Sequence, residues 1–78
     1  MTLIARGELD AATLGVRLRT LRERAGLTQT EVAEYISLGR TSLTNIEGGR
    51  QALSLRALVE IAAALGYVVD LHLVKPRR

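Results

Sequence analysis

Residues 39–50 carry the side chains with the most chemistry to offer. Gly39-Arg40-Thr41-Ser42 opens a short helical pattern that continues through Thr44 and Asn45 and stops at Gly48-Gly49-Arg50. Leu43 and Ile46, at i and i+3, turn one side of this helix inward. The other side is left with hydroxyls, an amide and a guanidinium. Such groups on a thin helix suit the base edges of the DNA major groove and the phosphates beside it. A plain helical hairpin inside a bundle would make these residues surface filler. Strong helix formers would serve that purpose better than Thr, Ser and Asn do.

The elements that must hold this helix are legible on both sides of it. Leu14, Leu18, Leu21 and Ala25 recur in steps of four, three and four after Asp10, an N-cap residue, and the stripe ends at Gly26. Arg17, Arg19, Arg22, Glu23 and Arg24 fill the other faces of this first helix. A second helix starts with a capping box, Thr28 and Glu31, each able to bond the other's backbone N–H. Gln29 falls in its first turn, beside free N–H groups that favour anions. Val32, Ala33 and Ile36 face inward, and Ser37-Leu38-Gly39 makes the turn with Leu38 as an apolar plug. The third helix is expected over residues 40–47. Ser54 caps a fourth, whose Leu55, Leu58, Val59, Ala62 and Leu65 are expected to form a wide apolar face ending at Gly66.

After Gly66 the period changes to two. Tyr67, Val69, Leu71 and Leu73 alternate with Val68, Asp70, His72 and Val74, which predicts a strand. Pro76 stops it, leaving a basic end. A lone strand leaves its backbone groups unpaired. Leu3-Ile4 is a weak partner, whereas a second copy pairs the strand with itself about a two-fold axis. The four alternate residues Tyr67, Val69, Leu71 and Leu73 are therefore the expected dimerisation residues, on the face that would cover the helices. Centring the pairing on Leu71 sets Asp70 opposite His72 of the other copy; centring on Asp70 would oppose two carboxylates.

Composition narrows the classes. The 78 residues contain no Cys, Phe or Trp, so an aliphatic core must do without disulfides or thiolate metal sites. The formal charge is +3, and Lys75 is the only lysine among 11 Lys and Arg residues. That balance suits a polyanionic partner. One His with scattered carboxylates offers no metal-ligand spacing, and no cofactor is expected. Asp70 and His72 share a strand face with no nucleophile nearby, so catalysis is not expected either. Leu3-Ile4 is too short a run for a signal peptide and no stretch is apolar enough to span a membrane, which makes the expected location cytoplasmic.

Taken in order, LTQTEVAEY, GRTSLTNIEGGR and SLRALVEIAAALG resemble the lambda-repressor/Cro/Xre helix-turn-helix family, across about two-thirds of the chain. The resemblance implies a mainly α, four-helix DNA-binding domain without enzymatic activity. It implies that Gln29, Arg40, Thr41, Ser42 and Asn45 face DNA with Thr44 close by, and that Arg50 touches a phosphate. It also pairs Arg22 with Glu47 as a structural salt bridge between the first helix and the end of the third. Ser37 departs from the pattern, standing where the family usually has glycine. If the left-handed conformation is kept there, strain of about 1 kcal/mol follows. A terminal strand in place of a fifth helix resembles the HipB-type antitoxin repressors.

The expected organisation is an arm (residues 1–8), a helix-turn-helix domain (9–66), a dimerisation strand (67–75) and a basic tail (76–78). The expected function is a homodimeric repressor of bacterial or phage type binding a palindromic operator in double-stranded DNA. An autoregulating antitoxin, a phage repressor or Cro, and a restriction–modification controller all fit the size. The alternative is a protein-interaction module whose main role is holding and neutralising a toxin protein.

Overall fold

The computed structural model describes residues 11–76; the expected arm, Asp10, Leu3-Ile4 and the last two residues lie outside them. Four helices follow one another, α1 (Ala11–Arg24), α2 (Gln29–Tyr35), α3 (Arg40–Glu47) and α4 (Leu55–Ala64). In α1 the stripe turns Leu18 and Leu21 into the core and half-buries Leu14, whereas Ala25 lies past the helix and is exposed. Gly26 takes a positive φ, and the N–H groups of Gly26 and Leu27 return to the carbonyls of Glu23 and Arg22. The same closure ends α3 at Gly49 and α4 at Gly66.

Thr28 and Glu31 close the capping box of α2 in both directions, at 3.1 and 3.0 Å. Ser54 Oγ accepts from the Ala57 N–H at the start of α4. Leu18, Val32, Ile36, Leu43, Ile46, Ala57 and Ile61 form the core, with Leu27, Leu38, Leu53, Leu58, Ala64 and Leu65 packed around it. Every helix therefore places at least one aliphatic side chain in a common centre. Helix α1 packs on α3, and α2 packs on both α3 and α4.

Two expectations are corrected, and a third, the terminal strand, is not met within one chain. Ser37 carries no left-handed strain, because every positive φ among the described residues belongs to a glycine. The chain reverses through Ile36, which is extended, and Gly39, whose φ is 83°. Ser37 instead donates its N–H and its hydroxyl to the Glu60 carboxylate of α4, each at 3.0 Å.

Part of the expected α4 face holds, with Ala62 buried and Leu58 and Leu65 packed on the core, but two of its members lie outside it. Leu55 and Val59 are 57% and 46% exposed, while Ala57 and Ile61 are buried. Arg56 and Glu60, paired at i and i+4, mark the polar side of this helix, and Leu55 and Val59 each sit one residue before them at its margin.

No strand forms among the described residues. The peptide after Gly66 starts with the Tyr67 N–H on Ala62 O, at 2.8 Å, and continues without a ladder partner. Tyr67 and Val69 are half-buried, but Leu71 and Leu73 are exposed, so the expected apolar face does not cover the helices beyond Asp70. Among the described residues there is no second edge to complete the ladder.

Candidate nucleic-acid interface

Helix α3 has two sides of opposite character. Leu43, Ile46 and Glu47 are buried. On the side opposite, Thr41 is exposed and Asn45 half-exposed, one turn apart, with Ser42 and Thr44 half-buried at its margins. Arg40 is exposed at the start of the helix and Arg50 just beyond its end, so one guanidinium lies at each end of the polar side. Arg50 Nε lies 3.5 Å from Asn45 Oδ1, a long hydrogen bond donated by the arginine.

The inner side is held by charge as well as by aliphatic packing. Arg22 Nε and Nη2 donate to the two Glu47 carboxylate oxygens at 2.7 and 3.0 Å, and Arg22 Nη1 donates to the Leu27 carbonyl at 2.7 Å. Only 11% of the Arg22 side chain and 3% of Glu47 remain exposed. The hydrogen-bonded Glu47 carboxylate raises the Arg22 guanidinium above its ordinary pKa, against the opposing effect of burial. The pair clamps the end of α1 to the end of α3.

Gln29 belongs to the same network. Its Nε2 donates to Glu47 Oε1 at 3.0 Å, and its Oε1 accepts from the Thr44 hydroxyl at 2.9 Å. The sequence places Gln29 in an anion-favouring turn; the fold adds two intramolecular partners, 18 and 15 residues away, that spacing along the chain cannot reveal. Thr44 is likewise turned toward α2. Among the described residues no buried side-chain polar atom lacks a partner, so this polar wedge is fully hydrogen-bonded.

Sequence reasoning also missed Gly15. It is buried, and a Cβ there would strike the Ile46 carbonyl oxygen, so α1 crosses α3 in backbone contact. Its only sequence signal is a glycine on a helical stripe. Asp70 and His72 form an exposed pair at 3.1 Å. Among the described residues no cluster of three or more His, Cys, Asp or Glu could hold a metal, and no helix is long and apolar enough to cross a membrane.

Two short helices joined by a tight turn, the second buried on one side and polar on the other, define a helix-turn-helix domain. The chain belongs to the helix-turn-helix domain family, of Xre/Cro type, which matches residues 13–73. It is a DNA-binding transcriptional regulator and not an enzyme.

Two proteins of Bacillus phage phi105 are similar to it. The ImmF control region 10 kDa protein is 36% identical over 67 residues, 86% of this chain and 72% of the relative. The immunity repressor protein is 40% identical over 58 residues, 74% of this chain but only 40% of the relative. Among solved structures, the restriction-modification controller C.AhdI from Aeromonas hydrophila superposes with a TM-score of 0.71 at 34% identity, covering 74% of this chain and 84% of that one. HipB, solved in complex with a 20mer, gives a TM-score of 0.71 over 91% of this chain and all of its own, at 21% identity. That last likeness is one of fold alone.

Proposed function

We propose that this chain represses transcription by binding a two-fold symmetric operator as a homodimer, with α3 of each copy in the major groove. The observation that carries this reading is the polar side of α3. Thr41, Ser42 and Asn45 stand opposite Leu43 and Ile46, and a helix whose back is anchored in a core presents its front rigidly. Arg40, exposed at the start of α3, would read a base edge, and Arg50, exposed beyond its end, would hold a phosphate. Gln29 lies at the α2 N-terminus, beside backbone N–H groups suited to the same phosphate backbone. Thr44 acts behind the interface by fixing Gln29.

The two copies join through residues 67–74 paired antiparallel, centred on Leu71, with Tyr67, Val69, Leu71 and Leu73 on the shared apolar face. The exposed Leu71 and Leu73 support this reading, since a second copy would cover them. The two α3 helices would then lie about 34 Å apart, one turn of DNA. Of the regulator types that fit the size, a phage-type repressor or a restriction–modification controller has support from the phi105 proteins and C.AhdI. The antitoxin reading has only a likeness of fold behind it. Regulation of transcription puts the protein in the cytoplasm.

Selection of bound sequences from a random duplex pool tests the reading. A palindromic consensus is expected. Arg40→Ala should then weaken specific binding by about 1–3 kcal/mol while sparing nonspecific duplex. Ordinary operator affinity in the Arg40/Thr41/Asn45 triple alanine variant would overturn the assignment.

A further inference from the structure

Gly48 caps α3 with φ −85° and ψ 0°, right-handed backbone open to any residue. The chain path therefore does not call for glycine. What a side chain would meet is Arg50. A Cβ at residue 48 would lie 2.5, 2.7 and 2.8 Å from Arg50 Nη1, Cζ and Nη2. The guanidinium is thus laid across the face of Gly48. The Arg50 N–H also donates to the Asn45 carbonyl at 2.8 Å, which ties the arginine's backbone to the last turn of α3.

From this seat Arg50 Nε reaches Asn45 Oδ1 at 3.5 Å. A guanidinium has donors only, so the amide must turn its oxygen toward Arg50 and its NH₂ away. An asparagine that reads adenine needs both its oxygen and its NH₂. Asn45, with its oxygen drawn toward Arg50, turns its NH₂ outward, where the donors match both N7 and O6 of guanine but only the N7 of adenine.

We propose that Gly48 is a positioning residue for DNA recognition: its missing Cβ seats the Arg50 guanidinium, which holds the Asn45 amide with its donors outward and so sets base preference where Asn45 meets DNA. The proposal rests on the reading of α3 as the recognition helix.

Its test uses the full chain and the duplex chosen from the random pool. Gly48→Ala should fold with an unchanged melting temperature, because the displaced group is the free end of a flexible side chain. Operator affinity should fall about 2–10-fold, the effect of leaving one long side chain to be ordered on binding. Repeated selection should admit adenine at one position per half-site. Adding Gly48→Ala to Arg50→Ala should change nothing further. Arg50→Lys supplies a second arm: the charge and the salt dependence stay, but base preference at that one position is lost.

Unchanged affinity and preference in Gly48→Ala would overturn the proposal, as would an equal effect of Gly48→Ala with and without Arg50. Those results would leave the recognition helix standing. A wild-type chain that retained no duplex from the pool would instead overturn the DNA reading and this proposal with it.

Discussion

Glu47 is a carboxylate taken almost wholly out of water, and its tolerance rests on its partners. Two Arg22 donors and one Gln29 donor meet its oxygens. Removing one partner of such a pair leaves an uncompensated buried charge, a loss of about 3–5 kcal/mol. Glu47→Ala should therefore lower stability by that amount in urea titrations, with little dependence on salt. Arg19–Glu23, whose side chains are 59% and 55% exposed, gives the contrast. Its removal should cost about 0–1 kcal/mol and fade in high salt. A double-mutant cycle on Arg22 and Glu47 that showed no coupling would refute the clamp.

At the scale of elements, two contacts set where α3 sits. Gly15 lets α1 approach until backbone meets backbone at Ile46. Alanine inside a helix ordinarily gains about 1 kcal/mol over glycine. Gly15→Ala should instead show a net loss of about 1–3 kcal/mol, since the intruding methyl meets a carbonyl oxygen and not a flexible side chain. A melting temperature at or above that of the wild type would show that the helices separate freely.

The other contact ties the turn before α3 to α4. The Ser37 N–H and hydroxyl, with a smaller contribution from Arg56, hold the Glu60 carboxyl below the usual carboxylate range. A depressed folded pKa means that the stabilisation is present above the unfolded pKa and is lost as pH falls through the folded value. Stability should decline on acidification below roughly pH 5, and Glu60→Gln should flatten that acid limb. An acid limb as steep in Glu60→Gln as in the wild type would remove Glu60 from the account.

The whole molecule has a helical domain that is complete in its core and a terminal segment that is not. Every buried core residue precedes Gly66, whereas Val68, Leu71, Leu73 and Val74 are exposed. Deleting residues 68–78 should therefore leave the helical domain folded while abolishing the dimer. Sedimentation should give a dimer for the full chain and a monomer for the shortened one. Operator affinity should drop sharply, because one half-site then binds alone. A shortened chain that still sedimented as a dimer would move the interface to another apolar surface, of which exposed Leu55 and Val59 on α4 are the evident choice.

The sequence alone determined what is local. Helix stops at Gly26 and Gly66, the Thr28–Glu31 box, the Ser54 cap and the burial of Leu43 and Ile46 follow from spacings of at most four residues. These interactions hold whatever the rest of the chain does. The polar side of α3 was legible for the same reason, since its inward residues define its outward ones. The Arg22–Glu47 pairing was reached only through family resemblance. Tertiary structure decided that the apolar margin of α4 at Leu55 and Val59 stays exposed. It also decided that Ser37 answers to Glu60, that Gln29 is bonded to Thr44 and Glu47, and that Gly15 is a crossing point. Each of these joins residues far apart in the chain, and side-chain type does not specify a distant partner. The terminal segment marks the same boundary from the other side. Its alternation is a property of the sequence, but a strand exists only when another backbone supplies the ladder.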